Sequence, residues 1–334
     1  MVLKNLTYKH KQTTTKQNQS TMSNNFWKSF SIVLHVLFDE IKIQQKVFTE
    51  AYTKSDDVEL VNLLIKYTEI DVSANNNYAI QFASRNGHIA VVDRLLQEPK
   101  NRVDPSADNN YAIRWASENG HIAVVERLLQ EPTNRVDPSA NDNYAIGWAS
   151  ENGHIAVVER LLQEDRSRVD PSADNNYAIR WASYYGNIAV VDRLLQEDRV
   201  DPSADDNYAI RYASQYGHIA VVERLLQDGR VDPSADDNVA ICVASFNGHI
   251  AVVDRLLQDR RVDPSADNNY AIRYASGNGY ITVVNRLLQD SRVDPTVDDN
   301  FAIRCASVYG HNAVVERLLQ DRRVYQKNLG NIEQ

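Results

Sequence analysis

Six of the eight histidines in this 334-residue chain follow a glycine: His88, His121, His154, His218, His249 and His311. Imidazole is a common metal ligand and proton shuttle near neutral pH, so such a series invites both readings. The spacing argues against shared ligation. Rings on successive packed helices lie roughly 10 Å apart, whereas a zinc site needs its donors within about 2 Å of one ion. A place at the start of a helix explains the recurrence better. Acidic stretches such as Asp232-Pro233-Ser234-Ala235-Asp236-Asp237-Asn238 offer oxygen donors. They lack the spaced ligands and closing Glu of an EF-hand loop and read as solvated turns. Gly277-Asn278-Gly279 has neither the preceding strand nor the third glycine of a phosphate-binding loop. No nucleophile, base and orienting group recur together. The expectation is a chain without catalytic residues, metal or cofactor.

These residues all belong to one repeat, and the repeat defines the elements that position them. Val103-Asp104-Pro105-Ser106-Ala107 recurs at Val136, Val169, Val200, Val231 and Val262, with altered versions at Ile70 and Val293. The spacing is 33 residues three times and then 31 residues four times. The change falls before the motif, where Glu98-Pro99-Lys100-Asn101-Arg102 shortens to Glu197-Asp198-Arg199. It shortens a loop and spares the helices. In one copy, Asp108-Asn109-Asn110 offers side chains that cap a helix N-terminus. Ala112, Ile113 and Ala116 form a short apolar stripe. Asn119-Gly120 ends that helix, since Gly tolerates a left-handed cap. Ile122, Val124, Val125, Leu128 and Leu129 then form the buried face of a second helix. The residue before each Pro is held extended. Helix, tight turn, helix and loop at this period predict an all-α solenoid in which each unit buries its stripe only against the next.

The second half of each copy resembles the ankyrin repeat, through Gly120-His121-Ile122, Val124-Val125 and Leu128-Leu129. The first half departs from it. Tyr111-Ala112-Ile113-Arg114 stands where that family typically has Thr-Pro-Leu-His, so the Thr and His that usually tie neighbouring repeats are absent. The Asp-Pro-Ser segment looks about one residue shorter than the family's hairpin, which implies a short modified hairpin or an extended loop. This divergent form is similar to the ankyrin arrays of giant DNA viruses and amoebae. The resemblance implies an ankyrin-like solenoid with eight repeats: 70–102, 103–135, 136–168, 169–199, 200–230, 231–261, 262–292 and 293–323. It also implies a protein–protein interaction scaffold.

Around the repeats, residues 1–25 are polar and expected to be disordered. Residues 26–69 read as an N-terminal helical cap containing a degenerate repeat, with Phe26, Trp27, Phe30, Ile32, Val33 and Leu37 available to cover the first unit. The other reading of that segment is a docking element that makes the chain an adaptor for a second protein, such as a ubiquitin-ligase component. Cys305 and Asn312 make the last repeat less apolar, as a cap requires, and 324–334 is a C-terminal tail. A net charge of −9 argues against a nucleic-acid partner. The run Phe26–Phe38 is broken by polar residues and falls short of the roughly 20 apolar residues that span a bilayer. No apolar leader is evident, and two cysteines exclude a disulfide framework. A monomer in the cytoplasm, that of a host if the source is viral, is expected.

Partner contacts are sought where copies differ, because fixed positions serve stacking and turns. The two residues before the helix-ending Gly vary most: Arg85-Asn86, Glu118-Asn119, Glu151-Asn152, Tyr184-Tyr185, Gln215-Tyr216, Phe246-Asn247, Gly277-Asn278 and Val308-Tyr309. In the ankyrin family the matching positions line the concave surface. Tyr184, Tyr185, Gln215, Tyr216, Phe246, Asn247 and Tyr309 are therefore candidate partner-binding residues, with packing against the next repeat as the alternative for the central four. The position after Ile carries Arg114, Arg180, Arg211, Arg273 and Arg304. Arg180 and Arg211 in that row either engage acidic groups of a partner or pair within the array. The following position, with Trp115, Trp148, Trp181 and Tyr212, is expected to be stacking core.

Overall fold

The computed structural model describes residues 46–51, 56–67, 70–99, 103–132 and 134–324. Among them every regular element is helical and there is no strand. The chain is an all-α helical-repeat solenoid. Residues 1–25, the N-terminal cap residues from Phe26 to Leu37 and the tail from 325 onward lie outside the described residues.

The chain divides into two compact units, one of Met1–Ala83 with Ala90–Asp104 and one of Ser84–Ile89 with Pro105–Gln334. In the first, a helical segment at 46–51 buries Phe48 and Ala51, and α1 (Val58–Tyr67) buries Val61 and Leu64. Asp57 caps α1 by accepting the Leu60 N–H at 3.0 Å. The Asp56 carboxylate receives the Val91 N–H at 3.2 Å, and the Asn62 amide oxygen accepts from Arg94 Nε at 2.5 Å. The first repeat supplies α2 (Ala74–Arg85) and α3 (Ile89–Leu96).

In the second unit, each repeat supplies one longer and one shorter helix. The longer ones are α4 (Ala107–Glu118), α6 (Ala140–Glu151), α8 (Ala173–Tyr184), α10 (Ala204–Gln215), α12 (Ala235–Phe246), α14 (Ala266–Gly277) and α16 (Val297–Val308). The shorter ones are α5 (Ile122–Leu129), α7 (Ile155–Leu162), α9 (Ile188–Leu194), α11 (Ile219–Leu225), α13 (Ile250–Leu257), α15 (Ile281–Leu287) and α17 (Asn312–Leu319). Consecutive longer helices pack on one another from α4 to α16, and the shorter helices stack likewise. The core lies between the two rows. Ala112, Ile113, Ala116, Val124, Val125 and Leu128 are almost wholly buried, as are their counterparts except Val315 in the last repeat. Small Ala side chains let successive helices approach closely, and the loss of two loop residues after repeat 136–168 leaves both rows intact.

The expected N-terminal caps take a different form. Asp108, Asn109 and Asn110 all have positive φ, 55°, 58° and 59°, and the same triplet is left-handed in all eight repeats. Each longer helix therefore opens with one left-handed turn, and no side chain caps it by a hydrogen bond in α4. Asn and Asp are the non-glycine residues that tolerate this region best, which is why the triplet is built only from them. The expected hairpin is a tight turn instead. Asp137 Oδ1 accepts both the Ser139 N–H at 2.9 Å and the Ser139 hydroxyl at 2.6 Å.

Ties between repeats replace those missing from the sequence pattern. The Asn110 side-chain oxygen accepts the backbone N–H of Asp137 in the next repeat at 2.8 Å. Asn77, Asn143, Asn176, Asn207, Asn238 and Asn269 do the same at 2.7–2.8 Å. Arg230 reaches back to the Val200 carbonyl at 2.6 Å, and Arg261, Arg292 and Arg323 repeat that bond one unit further on. The histidines form a third ladder. His121 Nε2 lies 2.9 Å from the Arg85 carbonyl, so that nitrogen carries the proton. The His121 ring also sits where a Cβ on Gly87 would stand, 2.6 Å from Nδ1, and Gly87 has φ of +74°. Glycine is required there twice over, by φ and by the ring. Where Asn187 replaces His, its amide donates to the Glu151 carbonyl at 2.7 Å and keeps the tie.

Candidate functional site: the rim of the longer helices

The variable pairs sit at the C-terminal ends of the longer helices and form a rim along the second unit. There the backbone turns at a left-handed Gly, and at least one residue of every pair is exposed. Large apolar side chains are exposed at few described positions: Tyr185, Ile188, Tyr216, Phe246, Val308, Tyr309 and Leu319. All but Ile188 and Leu319 are rim residues. Tyr185 is 50%, Tyr216 42%, Phe246 39% and Tyr309 68% exposed, the values expected of rings that the array does not need for its own packing.

The structure brings three of the candidates into one cluster. The Tyr184 and Tyr216 hydroxyls lie 2.8 Å apart, and their rings are 4.6 Å apart between centroids. Tyr185 meets Tyr184 edge-on at 4.8 Å. Trp181 supports them from behind, 5.1 Å from Tyr184 and 6.1 Å from Tyr185. Tyr212 stacks on Tyr184 at 5.6 Å and on Tyr208 at 4.0 Å. Trp181 and Tyr212 are half-buried, so the row expected to be stacking core forms instead a wall shared between core and rim. The hydrogen bond to Tyr184 and partial desolvation hold the Tyr216 phenol protonated above its ordinary range. Desolvation and the neighbouring Glu151 raise Tyr185 as well. Burial pushes Tyr208 up to about 12. The surface that the cluster presents is ring faces and hydroxyls.

Phe246 and Tyr309 stand apart from that cluster. With Arg273, Tyr274, Gly277, Asn278, Phe301, Cys305 and His311 they line a groove of about 510 Å³. Gly277 opens it, because every other repeat carries a side chain at that position. The remaining candidates are engaged internally. Asn247 closes its own helix by donating to the Val243 carbonyl at 2.8 Å. Gln215 is half-buried, and its carbonyl receives His249. Arg180 Nη1 pairs with Asp205 at 3.0 Å and Nη2 holds the Asp174 carbonyl at 3.2 Å. Arg211 does the same with Asp236 at 2.6 Å and the Asp205 carbonyl at 3.2 Å. Each guanidinium braces its own left-handed turn and clips it to the next repeat.

One arrangement beside the rim escaped the sequence reading. Gly147 replaces the bracing Arg, and Tyr177 moves into the space, 3.1 Å from where a Cβ would stand. Its hydroxyl then donates to Glu151 at 2.5 Å, and burial together with that carboxylate holds the phenol well above its usual range. Nearby, desolvation raises Glu118, opposed by Arg85 and assisted by Glu151. The signal was the lone Gly in a row of arginines.

Two rows of stacked helices, a repeated Gly-His turn and a rim of variable side chains define a helical-repeat protein with an open binding edge. A family model for ankyrin repeats in three copies matches residues 50–142 and again 146–237, more than half the chain. The chain belongs to the ankyrin repeat family. No curated protein matches it. Among the described residues no helix is long and apolar enough to cross a membrane.

Proposed function

We propose that this ankyrin repeat chain is a non-catalytic scaffold that grips a protein partner on the concave side of its array. The rim rings Tyr184, Tyr185, Tyr216, Phe246 and Tyr309 are its anchors. Gln215 and Asn247 flank them, and Arg180 and Arg211 form a paired, charged floor. The divergent repeat form favours a monomer working in the cytoplasm, of the kind giant DNA viruses and amoebae encode. One observation carries the reading: exposed rings gather at the positions that vary between copies, while nearly every fixed apolar position is buried. Tyr gives a large contact area at low entropic cost and keeps a hydroxyl for a directional bond.

The test is the double substitution Tyr185→Ala with Tyr216→Ala. Partners recovered by affinity purification and quantified by mass spectrometry should fall about tenfold or more, as hot-spot truncation does. The melting temperature should stay within about 2 °C, since both rings are substantially exposed. Equal recovery at an unchanged melting temperature removes this surface from consideration.

A further inference from the structure

The bracing arginines follow one pattern, and Arg304 departs from it. Arg180 pairs with Asp205 of the following repeat at 3.0 Å, and its guanidinium lies 5.2 Å from the centroid of the Tyr208 ring. Arg273 pairs with Asp298 at 3.3 Å and lies 5.2 Å from the Phe301 ring. Arg211 pairs with Asp236 at 2.6 Å. The acid stands 25 residues after its Arg, and where a ring follows it is three residues beyond the acid. Arg304 is held in the same way by its own turn, with Nη2 donating to the Asp298 carbonyl at 3.3 Å. It is exposed, and no carboxylate pairs with it among the described residues. The residues 25 and 28 positions further along the chain, Leu329 and Ile332, are neither acidic nor aromatic.

Among the described residues, no further repeat stacks on the face around Arg304. Ser307 is exposed where Ser276 is fully buried, and Val315 is half-exposed where Val284 is fully buried. Val308 is 80% and Leu319 44% exposed. We propose that this terminal face of repeat 293–323 binds a segment of another protein carrying Asp or Glu with Tyr or Phe three residues later, its carboxylate taken by Arg304 and its apolar side chains laid on Val308, Val315 and Leu319. Charge and shape choose this occupant. A second copy stacked head to tail presents Asn75-Asn76-Asn77-Tyr78, which has the ring and lacks the acid. The guanidinium is already aligned by its turn, so binding orders little on the protein side. This surface shares Val308 with the rim and uses none of the rim rings.

The probe is a fluorescein-labelled synthetic peptide with the sequence of residues 200–216, which carries the Asp205–Tyr208 pair that Arg180 recognises. Fluorescence anisotropy with the full chain should show binding. Asp205→Asn in the peptide should weaken it about tenfold, the loss of one charge-assisted hydrogen bond. Tyr208→Ala in the peptide should also weaken it. In the full chain, Arg304→Ala should bind the acidic and Asn peptides equally, and Arg304→Asp should bind an Asp205→Arg peptide best. The Tyr185→Ala, Tyr216→Ala chain should bind like the wild type, which separates this site from the tyrosine cluster of the rim. No binding of the parent peptide, or a preference for the acid that survives Arg304→Ala, overturns the proposal. A chain lacking 325–334 that binds about tenfold tighter makes the chain's own tail the occupant and overturns it too. So does a dimer in light scattering that Arg304→Ala dissolves.

Discussion

The row of shorter helices and the rim face opposite demands, and the sequence records them differently. The shorter helices repeat Ile-Ala-Val-Val-Glu-Arg-Leu-Leu with few changes, and Val190, Val191 and Leu194 are fully buried. The rim at the corresponding repeats changes from Glu-Asn to Tyr-Tyr, Gln-Tyr and Phe-Asn, and its rings stand partly in water. Stacking is satisfied the same way at every level of an array, so one solution recurs. Stacking constrains the rim far less than the core, which leaves room for its variation. Between these extremes lies the left-handed turn, uniform like the core and polar like the surface.

The sharpest way to break this comparison is to cut into the uniform row. Leu194→Ala removes a wholly buried side chain and should cost about 2–5 kcal/mol by chemical denaturation. A loss below about 1 kcal/mol means that the repeats do not depend on their neighbours for burial.

The second test asks whether the polar turn behaves as core or as surface. Asn207 Oδ1 accepts the Asp232 N–H at 2.7 Å, and its φ is 59°. Asn207→Ala leaves that amide without its acceptor, at about 1–3 kcal/mol, and adds about 1 kcal/mol for a left-handed alanine. Asn207→Asp keeps an acceptor and a residue that tolerates this φ, so it should recover part of the loss. Equal stability of the Ala variant and wild type would show the ladder to be decorative.

These turns also mark the limit of what the sequence disclosed. The period, both helix stripes, the Gly-His turns and the exposed rim at Tyr185, Tyr216, Phe246 and Tyr309 were legible, because burial and repetition write directly into residue type. The ties were not. Asn110 reads equally as a helix cap or as a left-handed residue bonded to the next unit, since both use the same short amide. One clue separated them: the third residue of the triplet is Asn in all eight copies, while the first two alternate between Asp and Asn. The bracing by Arg180 and Arg211 was hidden for a related reason. It depends on carbonyls that only a left-handed turn directs toward the guanidinium.

Acid gives a third test, spread thinly over four loops. Asp228, Asp259, Asp290 and Asp321 are held below the usual carboxylate range, first by side-chain hydrogen bonds from Arg230, Arg261, Arg292 and Arg323. Their folded pKa lies below the unfolded one, so the unfolded chain binds more protons as pH falls. Their contribution is complete above the unfolded carboxylate pKa and is lost as pH drops through the folded values. The melting temperature should be flat from neutral pH to about 5 and then decline through about pH 4 and below. Asp259→Asn should make the decline shallower, whereas Tyr185→Ala on the rim should leave its slope unchanged. A decline that is the same with and without Asp259 assigns the acid sensitivity elsewhere.

The smallest expected effect runs in the opposite direction. Ser214 follows Ala213 in α10, is fully buried, and its hydroxyl has no hydrogen-bond partner among the described residues. Its counterparts Ser117, Ser150, Ser183, Ser245 and Ser276 share that environment. A buried hydroxyl without a partner loses its hydration and gains nothing in return. Ser214→Ala should therefore stabilise the array by up to about 1 kcal/mol, read as a higher denaturant midpoint at unchanged slope. If it destabilises instead, the hydroxyl bonds back to its own helix in solution, and the uniform row of small residues carries a polar function like that of the turns.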